Sequence, residues 1–175
     1  MEDLLPGDVF VVRTPYWLSK RIRAVEEFWA VDGRAGYNHA GIITSEAGTT
    51  IEALWTFREH HLASYDDCPL LVARPVQQVS TAGSRLLGQD AKNSGMLRMF
   101  TYLGQRYPAW RLLLHLVPPL ARRVGHGDYL VCSEAVAKYL WLIGAREMPY
   151  LGVNPDTLAD EWHHWGNFQV VYERP

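Results

Sequence analysis

One cysteine occupies a position where a thiol can act as a nucleophile. Cys132 directly precedes the clearest helical pattern, residues 133–143, and lies four residues before Val136, in line with the apolar face of that helix. A thiol at a helix N-terminus lies near unpaired backbone N–H groups and the positive end of the helix dipole, which favour the nucleophilic thiolate. The same N–H groups could hold an oxyanion. The alternative is a small buried apolar side chain without a chemical role.

A histidine and a glutamate lie on two consecutive predicted strands, residues 39–44 and 49–55. Gly41 shares a face with His39 and leaves space in which another group can approach the imidazole closely. Glu52 interrupts an otherwise apolar and hydroxyl-bearing strand. Each residue alone has a common alternative, since surface histidines at strand ends and solvent-facing carboxylates are frequent.

The length of the connection between these strands decides whether the two side chains meet. A four-residue loop at 45–48 places Glu52 opposite Gly41 and diagonal to His39, and a loop at 44–47 places it directly opposite His39. Both registers bring the two Cβ atoms within roughly 5–8 Å on one face. A loop one residue shorter or longer would put them on opposite faces, because a one-residue shift reverses every side chain.

The elements that must position these residues occur in separate blocks, which predicts an α+β fold. Predicted strands cover residues 9–12, 39–44, 49–55, 70–74 and 168–173. Predicted helices cover about 15–31, 91–105, 109–123, 133–143 and 155–164. Pro75 is predicted to end its strand, residues 76–84 are predicted to form a polar loop, and Gly144 is predicted to end the helix that follows Cys132.

The composition is that of a globular protein rather than a disordered one. The chain has 175 residues, 48% hydrophobic and 21% charged, so we predict one domain over 1–175 with a helical insertion at about 84–124. The net charge of −2 gives no electrostatic reason to expect a nucleic-acid partner. No apolar run is long enough to predict a transmembrane segment. The sequence does not predict the oligomeric state.

The thiols and the first residues indicate the cellular compartment. Cys68 and Cys132 are too few for a disulfide scaffold, although a single bridge stays open. The first residues lack the basic and apolar regions of a signal peptide. We therefore expect a cytoplasmic protein with two free thiols, with export by another route as the alternative.

Four local motifs, taken together, resemble one known family. They are Pro-Gly-Asp-Val-Phe-Val before the first strand, Asn-His-Ala-Gly-Ile-Ile around His39, Ile-Glu-Ala around Glu52, and Val-Cys-Ser-Glu-Ala-Val around Cys132. The set is similar to the circularly permuted NlpC-type hydrolases, the YiiX-like branch of the papain-like superfamily, in which histidine and acid precede cysteine. A small residue often precedes the histidine in that branch, whereas Tyr37 and Asn38 stand here.

The resemblance implies a fold, a reaction and a set of site residues. The implied fold is a small antiparallel sheet or half-barrel packed against helices. The implied reaction is attack of the Cys132 thiolate on the carbonyl of a peptide or murein peptide, giving a thioester that water hydrolyses. His39 would act as general base and Glu52 would orient it, with no cofactor and no metal. The aromatic residues proposed as walls of the cleft are Tyr16, Trp17, Tyr37 and Tyr129.

Three alternatives remain open at the level of the sequence. An acyl-lipid or ester hydrolase, or an acyltransferase, would use the same triad, and residues 110–120 with their flanking arginines could rest on a membrane surface rather than be a buried helix. A metal site could use side chains of His60, His61, Cys68, His126, His163 and His164, although no motif with metal-ligand spacing occurs. A binding module without catalysis could retain the fold.

Overall fold

The computed structural model describes residues 3–15, 36–79, 83–86, 88–106, 130–147 and 150–175. Within these ranges the strands are β1 (Val9–Val12), β2 (His39–Ile43), β3 (Thr49–Ala53), β4 (Phe57–His61), β5 (Leu70–Val79), β6 (Gly83–Leu86) and β7 (Phe168–Arg174). The helices are α1 (Gln89–Phe100), α2 (Cys132–Leu142) and α3 (Pro155–His164), and a 3-10 helix spans Leu62–Tyr65. The predicted α+β class is confirmed.

The strands form one antiparallel sheet against which the helices pack. Its order is β4-β3-β2-β1-β5-β6, and β7 pairs with β5. The strands β2, β3 and β4 follow one another as consecutive hairpins, so each is placed by its sequence neighbour. The helix α2 lies mainly over β2 and β3. The predicted antiparallel sheet packed against helices is therefore present.

The sheet is covered on both faces. One face, called the helix face, carries Val9, Val11 and Ile42 and packs with the buried residues of α2 and α3. The other, called the second face, carries Phe10 and Ile43 among others and packs with the 3-10 helix. Because successive residues of a strand point to opposite faces, β1, β2 and β5 contribute to both cores. No helix in the described residues is long and apolar enough to cross a bilayer.

The helix that begins with Cys132 forms as the sequence predicts. Val136, Tyr139 and Leu140 are fully buried at helical spacing against the sheet. The helix ends at Leu142, and Gly144 takes the left-handed conformation with φ of +75°. This packing anchors the helix and fixes where its N-terminus lies.

Two predictions about strands and loops are wrong, and one strand was missed. The fifth strand continues through Pro75 to Val79 instead of ending there, and residues 83–86 form β6, so 76–84 is a hairpin rather than a loop. Pro75 is tolerated because β1 pairs with β5 only as far as Ala73, and no β1 partner needs the missing N–H. The strand β4, which the sequence did not predict, pairs with β3.

Other predicted helices differ in extent or lie outside the described residues. The helix α1 begins at Gln89 and ends at Phe100, where 91–105 was predicted, and residue Thr56 forms a bridge with Arg106 beyond it. The predicted helix at 109–123, including the segment considered for membrane contact, lies outside the described residues, as does nearly all of the one at 15–31. The helical insertion as a whole stays a prediction.

Candidate active site

The first and second members of the proposed triad meet across a β-hairpin. Gly41 pairs with Glu52, which is the register predicted for a four-residue loop at 45–48. His39, two residues before Gly41, is therefore diagonal to Glu52 on the same face. The His39 Nε2 and Glu52 Oε2 atoms lie 2.8 Å apart, and the two residues are only 6% and 1% exposed. Neither side chain is the solvent-facing group that the alternative interpretation required.

The carboxylate of Glu52 has partners on both oxygens. Thr50 Oγ1 donates to Oε1, and the phenol of Tyr65 donates to Oε2 at 2.6 Å. Burial by itself raises the pKa of Glu52, but the His39 hydrogen bond and charge, with the two hydroxyl donors, outweigh it and lower the pKa. The carboxylate is thus held ionised beside the imidazole.

The third member, Cys132, is the first residue of α2 and is 8% exposed. Its thiol lies close enough to His39 to raise the pKa of the imidazole. Burial alone lowers the pKa of His39, but the hydrogen bonds and the negative charges of Cys132 and Glu52 raise it to about 10. Because Nε2 is bonded to Glu52, Nδ1 is the ring nitrogen left to face the thiol. The imidazole therefore lies between two acidic groups.

Cys132 and His39 come from opposite faces of the sheet. Cys132 belongs to the core of the helix face, whereas the His39 ring lies near Phe10 and Tyr65 of the second face, at centroid distances of 6.5 and 6.0 Å. His39 is the first residue of β2, so the thiol and the imidazole meet where that strand begins. The site therefore lies at one end of the sheet rather than over its middle.

Gly41 permits the close packing that holds His39 and Glu52. A Cβ atom at this position would lie 2.5 Å from the Phe10 ring and 2.8 Å from Glu52 Cγ, which are distances that real Cβ atoms do not adopt. The predicted close approach beside His39 is confirmed, and the approaching groups are the ring of Phe10 and the stem of Glu52. A larger residue here would displace the carboxylate.

The N-terminus of α2 is held by side chains that the sequence interpretation did not single out. Glu134, fully buried, accepts hydrogen bonds from the backbone N–H groups of Val131 at 3.3 Å and Gly152 at 2.9 Å. Ser133 Oγ donates to the carbonyl of Val153 at 2.6 Å. These contacts join the loop before α3 to the first turn of α2 and fix the backbone around Cys132. A glutamate at the third helical position is a known capping pattern, so Glu134 could have been found.

Asn38 explains why a larger residue precedes the histidine in this chain. Its buried Oδ1 accepts from the backbone N–H of Thr14 at 2.9 Å and from the Thr14 hydroxyl at 3.0 Å, and its Nδ2 donates to the Thr14 carbonyl at 3.0 Å. This pairing ties the chain after β1 to the start of β2. Asn38 thus positions the backbone of His39.

The predicted cleft walls have mixed outcomes. Tyr37 is half-buried and packs against the core of the helix face, and burial, followed by the charges of Glu173 and Asp156, raises its pKa. Its role as a wall stays a prediction. Tyr16, Trp17 and Tyr129 lie outside the described residues.

The histidines proposed as metal ligands are not brought together. No group of three or more His, Cys, Asp or Glu side chains suited to a metal ion occurs among the described residues. His61 Nδ1 instead accepts from Ala63 N at 3.2 Å, and His163 lies 3.7 Å from Glu173. His126 lies outside the described residues. Cys68 and Cys132 are both free thiols.

Comparison with known proteins identifies the fold. No protein-family model matches the chain, and a comparison with curated proteins finds no match. Among solved structures, a crystal structure of the metalloprotein YiiX from Escherichia coli O157:H7, DUF1105, is similar with a TM-score of 0.58 and 15% sequence identity over 97% of each chain. The fold is YiiX-like. At this identity the likeness carries the architecture and nothing further.

The YiiX structure is that of a metalloprotein. At the triad, both carboxylate oxygens of Glu52 already accept hydrogen bonds, and both nitrogens of His39 face side chains. A divalent cation at this position would have to displace those contacts. The triad therefore does not fit a metal ion.

Proposed function

We propose that the protein is a cysteine hydrolase of the permuted papain-like type that cleaves an amide bond in a peptide or murein peptide. The observation that carries the proposal is the buried His39 imidazole between the Cys132 thiol and the Glu52 carboxylate. A nucleophile, a base and an orienting acid in contact form the arrangement used for covalent acyl transfer.

The charges of the site suggest the order of proton transfers. With a His39 pKa raised to about 10, the imidazole is cationic near neutral pH. In the proposed mechanism the Cys132 sulfur attacks as the thiolate, which is the nucleophilic form. The sulfur attacks the substrate carbonyl carbon, a C–S bond forms, and the carbonyl electrons move to oxygen. The oxyanion is positioned for the backbone N–H groups at the start of α2. His39 first acts as a general acid, in contrast to the initial base step predicted from the sequence.

Collapse of this intermediate completes the acylation, and water completes the cycle. The C–N bond breaks as His39 donates its proton to the leaving amine, which leaves an acyl thioester on Cys132 and a neutral imidazole. His39 then accepts a proton from water, whose oxygen attacks the thioester carbonyl. The C–S bond then breaks, the carboxylic acid leaves, and the sulfur keeps the electron pair as the thiolate beside the imidazolium. A poised imidazolium favours amide substrates, since an amine needs a proton to leave.

The reactivity of the two thiols tests the proposal without knowledge of the substrate. Cys132 is buried and Cys68 is half-buried, so access alone would make Cys68 the faster thiol. We expect iodoacetamide to modify Cys132 at least about tenfold faster near pH 7, because thiolate rather than thiol reacts. His39→Ala should abolish the difference, and His60→Ala on β4 is the matched control that should retain it.

Equal alkylation rates in the wild type would contradict the proposed mechanism and favour a binding module that retains the fold. Peptide mass spectrometry, with Cys132→Ser as a blank, assigns each rate to its thiol.

The substrate class is then tested by incubating the wild type and Cys132→Ala with peptidoglycan fragments and with acyl lipids. If only the acyl lipids give product, the bond that the enzyme cleaves would be an acyl ester rather than an amide. For its location we retain the reducing cytoplasm, which keeps a nucleophilic thiol free.

A further inference from the structure

A large aromatic residue is exposed at the end of the sheet that carries the triad. Trp55 lies between β3 and β4 and is 72% exposed, the largest fraction among the exposed large hydrophobic residues of the described ranges. Single exposed hydrophobic residues are common and need no explanation by themselves. The position and the fixed backbone of Trp55 give this one a specific meaning.

The β2–β3 hairpin places Trp55 a short distance from the triad. The last pair of the register is Gly41 with Glu52, whose carboxylate binds His39. Trp55 follows Glu52 by three residues, in the turn between β3 and β4. With a rise of about 3.4 Å per residue, the Trp55 and Glu52 Cα atoms lie within about 10 Å of each other. An indole can span much of that distance.

The turn that carries Trp55 is held by backbone hydrogen bonds on both sides. Leu54 N donates to Thr56 O at 3.2 Å within the turn. Beyond it, Phe57 N donates to Gln105 O and Gly104 N donates to Phe57 O, both at 2.8 Å. The segment after α1 thus continues the sheet beside the turn, and the Trp55 backbone is fixed before any ligand binds. A preorganised aromatic residue loses little conformational freedom on binding.

We propose that Trp55 forms the wall of an apolar subsite that receives an aromatic or aliphatic group of the acyl donor, next to the carbonyl that Cys132 attacks. The inference rests on the proposed function, because it assigns a substrate group to that site. The triad itself offers only buried, already bonded polar groups, so it supplies little area for recognition. The indole supplies apolar area at the required end of the sheet.

The test compares two alkylating reagents at Cys132. Iodoacetamide is small, and N-benzyliodoacetamide carries an added benzyl group on its amide nitrogen; in both, the sulfur–carbon bond forms as iodide leaves. The measured quantity is the second-order rate constant for N-benzyliodoacetamide divided by that for iodoacetamide. We expect this ratio to fall by about fivefold or more in Trp55→Ala and to stay within about twofold of wild type in Trp55→Phe. Trp141→Ala is the matched control, since Trp141 is 49% exposed and lies near the opposite end of α2.

An unchanged ratio in Trp55→Ala would overturn the subsite, as would an equal fall in Trp141→Ala. The ratio can be measured even when Cys132 behaves as an ordinary thiol, because slow alkylation still gives two rates. Failure of the proposed function is therefore seen in the absolute iodoacetamide rates of Cys132 and Cys68, and failure of the subsite is seen in the ratio. Circular dichroism checks that Trp55→Ala retains the fold, as expected for a side chain so exposed.

Discussion

Two buried ion pairs in this protein are built differently: one stabilises the fold, and the other belongs to the candidate active site. Arg146 and Glu161 join the loop after α2 to α3 through two hydrogen bonds, Nε to Oε2 and Nη2 to Oε1, each 2.8 Å long. His39 and Glu52 share one hydrogen bond of the same length, and the second ring nitrogen of His39 faces Cys132. In the first pair, the guanidinium fork matches the carboxylate and binds both of its oxygens.

The cations of the two pairs also differ in whether they can give up a proton. A guanidinium stays protonated at any pH at which the protein folds, so the Arg146–Glu161 pair can only hold structure. An imidazole can release its proton, and the Cys132 thiol and Glu52 together decide when it does so. A buried pair becomes useful for catalysis when its cation is titratable and is shared with a nucleophile.

The largest effect is expected from breaking the pair that holds structure. Arg146→Met leaves the buried Glu161 carboxylate without its guanidinium, so the free energy of unfolding should fall by about 3–5 kcal/mol. Urea unfolding measures this change. The iodoacetamide rate of Cys132 in the folded protein should remain that of wild type, because the triad does not include this pair.

The double variant Arg146→Met with Glu161→Leu is the control for that prediction. It replaces the pair by apolar side chains and should regain most of the lost stability. A single variant that loses less than about 1 kcal/mol, or a double variant as unstable as the single one, would contradict the role given to this pair.

A smaller effect is expected from pH on the pair that serves chemistry. The folded pKa of His39 is raised to about 10 from 6.5, so its stabilisation is fully present below pH 6.5 and is lost as the pH rises through 10. The free energy of unfolding should therefore decline between these values more steeply in wild type than in His39→Gln. Glu52→Gln removes one of the two negative partners and lowers the folded pKa of His39, so its decline should end at a lower pH and its total loss of stability should be smaller.

Urea unfolding at several pH values measures these slopes, and the difference from His39→Gln removes the contribution of other titrating groups. A wild-type slope no steeper than that of His39→Gln would show that the imidazole carries no extra proton in the folded protein. The His39–Glu52 pair would then not differ from the Arg146–Glu161 pair in the way described above.

The part of the fold that could be predicted is the part whose side chains alternate or repeat clearly. The strands β1, β2 and β3 and the helix α2 are buried along whole faces, and their apolar spacing predicted where these elements lie and that Cys132 stands at the start of the helix. The His39–Glu52 contact was predicted on the condition of a suitable hairpin loop, and the observed register meets that condition. Its burial was not, since a strand pattern does not tell which face another element will cover.

The strand β4 could not be predicted, and one site residue was missed with it. In Phe57–His61 only the first residue is buried and the remainder is polar, as suits a strand with one exposed face near the edge of the sheet. That strand carries the chain back so that Tyr65, thirteen residues after Glu52, reaches its carboxylate. Without β4, no local pattern in the sequence connects these two side chains.

The smallest expected effect tests whether the Tyr65 hydroxyl supports the His39–Glu52 pair or whether Tyr65 only packs in the core beside it. Tyr65→Phe keeps the ring packed against Phe10 and removes only the hydroxyl that donates to Glu52 Oε2. Loss of one hydrogen bond to a charged acceptor costs about 1.5–3 kcal/mol. The carboxylate would become easier to protonate, and its hold on the imidazolium would weaken. We expect the Cys132 alkylation rate at pH 6 to fall by about threefold to tenfold, with a loss smaller than that in Glu52→Gln.

Tyr172→Phe, a half-buried tyrosine packed against the core of the second face, is the matched control and should react like wild type. If Tyr65→Phe lowers stability but leaves the pH profile of Cys132 alkylation unchanged, Tyr65 only supports the core. If the profile shifts toward that of Glu52→Gln, the hydroxyl positions the acid of the triad.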